Sequence, residues 1–518
     1  MANTKNLPLG IKLLKIMTRK CQWNLRSKYV WHRGLVLFLT YITYMSYHFT
    51  RKPISVVKNV LHPNCSSSSH VLEDNLIFDN SNCSGWAPFD GKDAGKLFGA
   101  LDSAFLFAYA FTMFASGIVA ERVNLRYFLS IGMLFSALFC YLFGLAKTLN
   151  IHSMAYFVCV QILMGIFQTT GWPAVVTILG HWFGKGNRGL IFGIWNSHTS
   201  IGNIVGTLIA GYYVEKNWGY SFMVPGVLMA VFGVIVFLFL IAHPENIGFS
   251  QPETMNRAGI NVSNYMSVPQ KEDSTSSSTS SDYEDDGQAT RILSSVSIPY
   301  NRRQAIGFLD ALKIPGVVEY SMSLFFSKLV SYTFLYWLPY YISSSTNFGP
   351  SLSAELSTLF DVGGIVGAIA AGVVTDATNM SATVCVTMLT LAVPLLFIYE
   401  LYGSMGKMIN IILLVLSGAF VNGPYALITT AVSADLGTHE SLQGSSKALA
   451  TVTAIIDGTG SIGAAVGPLF AGLLSPTGWD RVFYFLMASL VAALALLIRP
   501  MAKEIKLRTL RHRSRVTS

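Results

Sequence analysis

The strongest constraint on this chain is a series of twelve long apolar runs separated by polar segments. A helix that crosses the hydrocarbon core of a bilayer needs about 20 mostly apolar residues, so twelve such helices take up roughly half of a chain this long. Only 12% of the 518 residues are charged, whereas soluble domains carry about 25%. The sequence therefore predicts an all-α polytopic membrane protein with twelve transmembrane helices. The runs lie near residues 34–50, 95–120, 126–147, 152–180, 189–214, 220–242, 315–342, 353–376, 382–402, 408–434, 447–474 and 480–500.

The two ends of the chain concentrate positive charge. Residues 1–33 contain eight Lys or Arg and no acidic residue, and the last twenty residues contain seven Lys or Arg and one Glu. Basic segments beside membrane spans stay on the cytoplasmic side, so residues 1–33 and 501–518 are predicted to be cytoplasmic tails. An even number of spans agrees with this. Part of the net charge of +9 therefore lies in tails that set the orientation of the chain in the membrane. The expected partner is membrane lipid rather than nucleic acid.

A polar loop at 52–93 follows the first span and is predicted to face away from the cytoplasm. It contains N-glycosylation sequons at Asn64 and Asn82, and their position in one predicted luminal loop favours modification of both. Cys65 and Cys83 lie in the same loop, where an oxidising compartment permits a disulfide. Whether these two cysteines pair stays open.

A second polar segment, 243–313, divides the spans into two groups of six. Its centre is rich in Ser and acidic residues and contains too little apolar surface to fold. We interpret it as a cytoplasmic linker between a half at 34–242 and a half at 314–500. A plain tether is favoured over a phosphorylated regulatory segment.

The two halves contain a repeated motif. Residues 200–211 read SIGNIVGTLIAG and residues 461–472 read SIGAAVGPLFAG, with eight of twelve positions identical at an offset of 261. The second and eighth spans also both end in Gly-x-x-x-acid, with Glu121 and Asp376 as the acids. This duplication predicts two pseudo-symmetric six-helix halves. In such folds the substrate site lies between the repeats near mid-membrane.

Charged residues inside the predicted spans are the main candidates for function, because each costs about 2.5–3.5 kcal/mol in a bilayer. Arg51 and Lys52 close the first span. They are either interfacial anchors or ligands of an anion in a central cavity, where the Arg fork suits an oxyanion. Lys328 lies about one-third into the seventh span, so cations from both halves are predicted to clamp a phosphate. Asp361 and Asp457 are predicted to form structural ion pairs, with a proton relay as the alternative.

Two further side chains are weighed as site residues. His198 lies early in the fifth span, where a packing role is favoured, although its titration range overlaps that of phosphate. Tyr332 belongs to an aromatic-rich stretch, 332–341, that either stacks on a sugar ring or lies in the interfacial aromatic belt. No nucleophile–base set or metal-ligand spacing emerges from the sequence, so neither an enzyme nor a cofactor is predicted.

Eight stretches together carry a family resemblance. They are 47–58 (YHFTRKPISVVK), 168–176 (QTTGWPAVV), 181–189 (HWFGKGNRG), 195–202 (WNSHTSIG), 328–339 (KLVSYTFLYWLP), 357–364 (STLFDVGG), 422–439 (NGPYALITTAVSADLGTH) and 447–463 (KALATVTAIIDGTGSIG). Through them the chain resembles the organophosphate:phosphate antiporter branch of the major facilitator superfamily, and within it the sugar-phosphate (glucose-6-phosphate) exchangers of the endoplasmic reticulum. Glu121 and Arg122 resemble the cytoplasmic gate motif of the superfamily, with Glu for the usual Asp, and Asp376 ends the corresponding span of the second half.

This resemblance implies that the protein exchanges a sugar phosphate, glucose-6-phosphate above all, for inorganic phosphate by alternating access across the endoplasmic reticulum membrane. Arg51 falls on the phosphate-binding Arg of the bacterial relatives, and Lys52 on the basic residue after it. The sequence departs from those relatives in the seventh span. There Ser331 takes the place of Arg or Lys, and Lys328, one turn earlier, is the candidate substitute.

A second departure lies in the fifth span, where Thr199 takes the place of the usual His and His198 precedes it.

Two other functions stay open. One is a proton-coupled or other organic-anion carrier of the same fold, with Asp361 or Asp457 titrating. The other is a non-transporting membrane sensor that signals through the Ser-rich linker. The preferred sugar, the stoichiometry and the oligomeric state do not follow from the sequence.

Overall fold

The computed structural model describes residues 7–17, 25–62, 85–120, 122–183, 188–249, 307–346, 348–437 and 448–516. Five residues with predicted roles lie outside the described ranges: the sequon residues Asn64 and Asn82, the cysteines Cys65 and Cys83, and the gate residue Glu121. The Ser-rich centre of the linker also lies outside them.

The described chain folds into helices, which we number α1 to α17. They are α1 (Leu9–Met17), α2 (Leu25–Arg51), α3 (Pro53–Leu61), α4 (Ala94–Ala120), α5 (Leu125–Thr148), α6 (Met154–Gln168), α7 (Gly171–Trp182), α8 (Arg188–Val214), α9 (Tyr220–Phe239), α10 (Phe308–Leu312), α11 (Val317–Ser345), α12 (Pro350–Thr378), α13 (Ser381–Tyr402), α14 (Lys407–Leu427), α15 (Ser433–Leu436), α16 (Ala448–Leu474) and α17 (Trp479–Val516). A π-helical turn, Ile428–Val432, joins α14 to α15, and short 3₁₀ turns lie at Pro244–Ile247 and Ser475–Thr477.

Twelve helical stretches of this series form the predicted spans. Within the described ranges, nine are long and apolar enough to cross a membrane by length and composition. Three more, α2, α8 and α11, are equally long at 27, 27 and 29 residues, but they carry more polar side chains. Several of those side chains line the cavity between the halves, which accounts for their lower hydropathy. The nine are α4, α5, α6 with α7, α9, α12, α13, α14 with α15, α16 and α17.

The helices of the two halves pack in a twofold pattern. Across the halves, α4 packs along α16, and α8 packs along α12. These pairs are equivalent under the duplication, because the second span corresponds to the eighth and the fifth to the eleventh. Within the halves, α5 packs on α9 as α13 packs on α17, and α4 packs on α6 as α12 packs on α14. The internal repeat of the sequence thus reappears as a repeat of helix contacts.

The repeated glycines bring α8 onto α2 and α16 onto α11. A Cβ atom at Gly206 would lie 2.6 Å from the carbonyl oxygen of Phe49, and one at Gly467 would collide with the carbonyl oxygen of Leu329. Small residues at this spacing let helix backbones approach closely, which supplies the dispersion contacts that hold helices together in lipid. The repeated motif therefore holds the first and seventh spans, which carry Arg51 and Lys328.

Proline breaks the first span. The helix α2 ends at Arg51, and α3 continues the span from Pro53 to Leu61, because a proline cannot supply the N–H that a continuous helix needs. Almost all of α3 is buried. The prediction that a polar loop begins at Lys52 is therefore wrong for residues 53–61, whose apolar positions extend the span. We call the end of the bundle where α3 ends and α4 begins the outer end, and the opposite end the inner end.

The terminal spans also extend beyond their predicted bounds. The helix α2 begins at Leu25, inside the predicted basic tail, and α17 continues to Val516. One contact ties this extension to the bundle. The carboxylate of Glu504 accepts hydrogen bonds from the backbone N–H groups of Ala382 at 2.9 Å and Thr383 at 3.0 Å. These groups belong to the first turn of α13 and have no partner within their own helix.

Candidate functional site

A cavity lies between the two halves. Its walls come mainly from α2, α8, α11, α12 and α14. The polar residues that line it are His48, Lys52, Asn196, Ser197, Thr199, Ser200, Asn203, Ser331, Tyr332, Ser357, Asp361, Asn422 and Tyr425. The position of this cavity agrees with the site that the duplication predicts.

Arg51 is a buried cation at the proline break of the first span. Its Nε donates a hydrogen bond to Oε1 of Gln168 at 2.6 Å, and its Nη1 donates to the hydroxyl of Tyr332 at 3.2 Å. The guanidinium carbon lies 4.8 Å from the centre of the Tyr109 ring, and Nη2 is buried without a hydrogen-bond partner. Within the described structure no carboxylate forms an ion pair with Arg51. Arg51 is not among the described residues that line this cavity, whereas Tyr332, which accepts its hydrogen bond, does line it.

Lys52, the next residue, lines the cavity directly and is only 1% exposed. Its ammonium donates to the backbone carbonyl oxygen of Leu335 in α11, at 3.0 Å. Pro339 lies four residues further along α11 and has no N–H to donate to that carbonyl. The lysine of one half thus satisfies an acceptor that a proline of the other half leaves open.

A second lysine makes a similar contact closer to the outer end. Lys58 forms a buried ion pair with Asp102 of α4, and its ammonium also donates to the carbonyl oxygen of Tyr336 at 3.0 Å. The ammonium lies 4.4 Å from the centre of the Trp337 ring. Asp102 lies within the predicted second span, whereas Lys58 lies within the predicted 52–93 loop. The pair closes the outer end of the bundle between α3, α4 and α11.

Lys328 lies in an ion pair rather than at the cavity surface. Its ammonium contacts Oδ1 of Asp457 at 2.7 Å and donates to the hydroxyl of Ser461 at 3.1 Å, both on α16. The predicted interpretation of Asp457 as an ion-pair partner therefore matches the observed contact. The ammonium of Lys328 also lies 5.7 Å from the ring centre of Tyr332, the residue whose hydroxyl accepts from Arg51.

The glycine contacts reveal which residues of the first and seventh spans are equivalent. Gly202 of α8 lies against the carbonyl oxygen of Met45, and its repeat partner Gly463 of α16 lies against that of Phe325. The first and seventh spans are therefore related by an offset of 280 residues, from Met45 to Phe325.

This offset places Ser331 at the position of Arg51 and Lys328 at the position of His48. Ser331 lines the cavity and donates to Oδ1 of Asn422 at 2.6 Å. The position that carries a cation, Arg51, in the first half therefore carries a neutral hydroxyl group, that of Ser331, in the second half. The candidate cation of the second half, Lys328, is paired with Asp457 in the described structure, and the clamp with cations from both halves stays a prediction.

The two histidines near the cavity differ in orientation. His198 is fully buried, with its ring centre 4.2 Å from that of Trp195 and 4.8 Å from that of Tyr44. It is absent from the residues that line the cavity in the described structure, whereas its neighbour Thr199 lines it. His48 also lines the cavity, and sequence reasoning missed it. The sequence pattern that could have identified it is its position four residues before Lys52, because side chains at this spacing lie on one face of a helix.

Asp361 lines the cavity opposite these groups. Its Oδ1 accepts a hydrogen bond from Nδ2 of Asn203 at 2.8 Å, and this bond joins α12 of the second half to α8 of the first. The favoured prediction for Asp361 is a structural ion pair, and no described residue forms one with it by direct contact.

Two of the three predicted gate residues are described, and both lie at the inner end. Arg122 follows α4, and Asp376 lies in the last turns of α12. Both side chains are exposed, and neither lines the cavity.

The buried charges of the bundle do not balance. Among the buried residues of the described chain, five cations stand against three carboxylates, which leaves two formal positive charges. The cations are Arg51, Lys52, Lys58, Lys328 and, at the start of α5, Arg126, and the carboxylates are Asp102, Asp361 and Asp457. Because uncompensated charge is costly inside a membrane, an excess of buried positive charge favours the binding of an anion.

Comparison with known proteins defines the class first. The sequence model of the Major Facilitator Superfamily matches residues 77–446. The chain belongs to this superfamily of membrane transporters. A solved structure of a bacterial homolog of the human lysosomal transporter Spinster, in an inward-facing and unoccupied conformation, has the same fold, with a TM-score of 0.56 at 14% identity. It covers 91% of this chain, and the match covers 96% of that chain.

Close relatives then define the family. The glucose-6-phosphate exchanger SLC37A2 of Mus musculus is 53% identical over 487 residues, which cover 93% of this chain and 95% of that protein. The human SLC37A2 is 54% identical over 479 residues, covering 92% and 94%. The human glucose-6-phosphate exchanger SLC37A1 is 48% identical over 528 residues, covering 96% of each. The chain therefore belongs to the glucose-6-phosphate exchanger family, which confirms both the predicted resemblance and the predicted fold class.

Proposed function

We propose that this protein is an antiporter, not an enzyme, and that it exchanges a sugar phosphate, glucose-6-phosphate above all, for inorganic phosphate. The names of the relatives support the sugar phosphate. The observation that carries the proposal is Arg51, a buried cation with an unpaired Nη2 and no carboxylate partner among the described residues. A buried unpaired charge is costly, and a bound phosphoryl group offsets that cost.

The phosphoryl group is expected to bind among Arg51, Tyr332 and Lys52. Arg51 offers its unpaired Nη2, and Tyr332, whose hydroxyl accepts from Arg51, can donate its own proton to a phosphoryl oxygen. Lys52 turns its ammonium from the carbonyl of Leu335 towards the anion. Hydrogen bonds in which both partners are charged are roughly twice as strong as neutral ones. Lys328 would then hold α11 in place through its ion pair with Asp457.

Obligatory exchange would follow from the same charge. With no anion bound, reorientation would carry the uncompensated positive charge of Arg51 past closing helices, which is expensive in a membrane interior. A bound phosphate lowers that cost in either direction. Substrate binding thus favours the rocking of one half against the other that alternating access requires. At the outer end the contacts to be broken are those of Lys52 and Lys58 with α11.

We further propose that the protein lies in the endoplasmic reticulum membrane with both termini and the 243–313 linker in the cytoplasm. The basic tails support this orientation. In it, Asn64 and Asn82 are luminal and glycosylated, and the gate residues Glu121, Arg122 and Asp376 lie on the cytoplasmic side. A mobility shift on digestion with endoglycosidase H is expected for the wild type and absent from a variant with both Asn→Gln substitutions.

The decisive experiment is transport by purified protein in phosphate-loaded proteoliposomes. Labelled phosphate should enter only when phosphate or a phosphate ester is present inside, and external glucose-6-phosphate should compete. Arg51→Ala is expected to abolish this exchange, and Arg51→Lys to retain a small part of it, because lysine keeps the charge without the fork. The matched control is Arg499→Ala, since that side chain is 90% exposed. Full exchange by Arg51→Ala would overturn the proposed phosphate site.

The same assay separates the alternatives. A proton-coupled organic-anion carrier, with Asp361 as the titrating group that lines the cavity, would follow an imposed pH gradient and ignore internal phosphate. A membrane sensor would show no counterflow with any ester. Deletion of residues 271–290 in the linker should leave exchange unchanged if that segment is a tether.

A further inference from the structure

Asp361 is the acidic residue among those that line the central cavity in the described part of the chain. It lies on α12, is 5% exposed, and accepts one hydrogen bond, from Asn203 across the interface between the halves. No second hydrogen bond and no ion pair to this carboxylate is formed by the described residues. Lys52 lines the same cavity, and its ammonium donates its hydrogen bond to Leu335 rather than to Asp361, although it lies within electrostatic range of this carboxylate. Asp361 therefore keeps acceptor capacity that the protein itself does not use.

The wall around Asp361 has the chemistry of a polyol site. On α8 the lining side chains are hydroxyls and amides, and Asn422 and Ser331 continue this pattern on the second half. Phe334 and Phe360 line the cavity as a stacked pair with ring centres 4.9 Å apart. A sugar presents hydroxyl groups at its edge and C–H groups on its faces, so it matches neutral polar groups beside an aromatic wall.

We propose that Asp361, held in position by Asn203, accepts hydrogen bonds from the hydroxyl groups of the sugar and so distinguishes a sugar phosphate from inorganic phosphate. A carboxylate accepts hydrogen bonds and donates none, and it repels a phosphoryl group. The cavity thereby gains a direction, with the phosphoryl group towards Arg51 and Lys52 and the sugar towards Asp361. Inorganic phosphate uses only the cationic end.

This inference rests on the proposed antiport but predicts something that antiport alone does not. Removal of the charge at Asp361 should weaken binding of the ester and leave binding of inorganic phosphate intact. A hydrogen bond to a charged acceptor contributes enough that its loss raises KM about 10- to 100-fold. Inorganic phosphate should show a KM within about twofold of the wild-type value, because no hydroxyl group of a sugar is lost.

The test compares two exchanges in one preparation of proteoliposomes. For the wild type and for Asp361→Asn, the KM is measured for phosphate:phosphate exchange and for glucose-6-phosphate:phosphate exchange. Methyl phosphate, an ester without sugar hydroxyls, serves as the control substrate. A large rise in KM for glucose-6-phosphate alone supports the proposal. Equal losses for all three substrates, or no change for any, overturn it.

Two further variants separate the role of the charge from a structural role. Asp361→Glu keeps the carboxylate and should recover part of the discrimination, and Asn203→Ala should raise the KM for glucose-6-phosphate without affecting phosphate. If Asp361→Asn does not yield folded protein, Asn203→Ala decides the matter by the same criteria. Absence of any exchange by the wild type would instead contradict the proposed antiport, so the two failures are distinguishable.

Discussion

The ammonium of Lys52 lies 3.0 Å from the carbonyl oxygen of Leu335, and this contact joins the two halves close to a proline in each. Lys52 precedes Pro53, where the first span bends, and Leu335 lies one turn before Pro339 in the seventh span. A proline removes the hydrogen bond to the carbonyl four residues earlier. In a membrane an unpaired carbonyl costs several kcal/mol. The hydrogen bond from Lys52 therefore offsets the one that Pro339 removes, and the two residues are energetically coupled.

We expect a double-mutant cycle to detect this unit. Lys52→Met removes the donor and should lower the apparent melting temperature of the detergent-purified protein. In a Pro339→Ala background the same substitution should cost less, because the N–H of the new alanine can donate to Leu335. The coupling should be on the order of 1 kcal/mol, as is usual for residues in contact. Pro394→Ala, in α13, is the control and should combine additively with Lys52→Met. Additivity in the Pro339→Ala background would contradict the relationship.

The ion pair of Lys328 with Asp457 leads to a second prediction. Both side chains are almost fully buried, at 3% and 5% exposure. Removal of one partner leaves an uncompensated charge, which typically costs about 3–5 kcal/mol, whereas replacing both is often nearly neutral. Lys328→Met and Asp457→Asn should each lower the melting temperature markedly. The double variant should recover most of the loss.

Exchange by this double variant also decides how Lys328 acts. If Lys328 positions α11 and does not bind phosphate, the double variant should show phosphate:phosphate exchange close to that of the wild type. A stable double variant with no exchange would show instead that Lys328 contacts the anion during the transport cycle.

Much of the fold could be predicted because it depends on patterns that the sequence repeats. Twelve apolar runs predict the spans, and the duplicated Ser-Ile-Gly motif predicts two halves together with the helix contacts that recur at Gly206 and Gly467. The energetic cost of charge in a membrane also identifies Arg51 and Lys52 as candidate site residues from the sequence. These signals are local or periodic, so a single sequence contains them.

The remaining features depend on how helices are turned and paired. A step of one residue rotates a side chain by about 100° around a helix, so His198 faces an aromatic cluster while Thr199 faces the cavity. Lys58 falls within the predicted 52–93 loop, but the helix α3 extends to Leu61 and buries it. The pairing of Lys328 with Asp457 joins positions far apart in the chain, and no periodicity within one span predicts it.

Close helix contact at Gly463 allows a third prediction. A Cβ atom there would collide with the backbone carbonyl of Phe325, whereas one at Gly211 would meet nothing closer than the Cβ of Ala354, at 3.8 Å. Gly463→Ala should therefore push α16 away from α11, with a cost of about 1–3 kcal/mol for overpacking. Gly211→Ala should be neutral or slightly stabilising, because alanine favours helix more than glycine does. Size-exclusion profiles and melting temperatures of the two variants provide the measurement, and identical behaviour would contradict the assigned contact.

The contact of Glu504 with the start of α13 gives the last prediction. Besides two backbone N–H groups, its carboxylate accepts from the hydroxyls of Thr383 at 3.0 Å and Ser381 at 3.3 Å. The residue before α13, Met380, has no side chain that can cap the helix, so an acid from the last span takes that role. Glu504→Ala should lower stability by about 1–2 kcal/mol, the usual cost of a lost cap. Glu504→Gln should cost less, since it keeps an acceptor and loses only the interaction of the charge with the helix dipole.

Because the interaction of the Glu504 charge with the helix dipole is screened by salt, the difference between the Gln variant and the wild type should shrink at high ionic strength. A difference that does not depend on salt, or a Glu504→Ala variant as stable as the exposed control Lys503→Ala, would mean that the extended C-terminal helix does not cap α13.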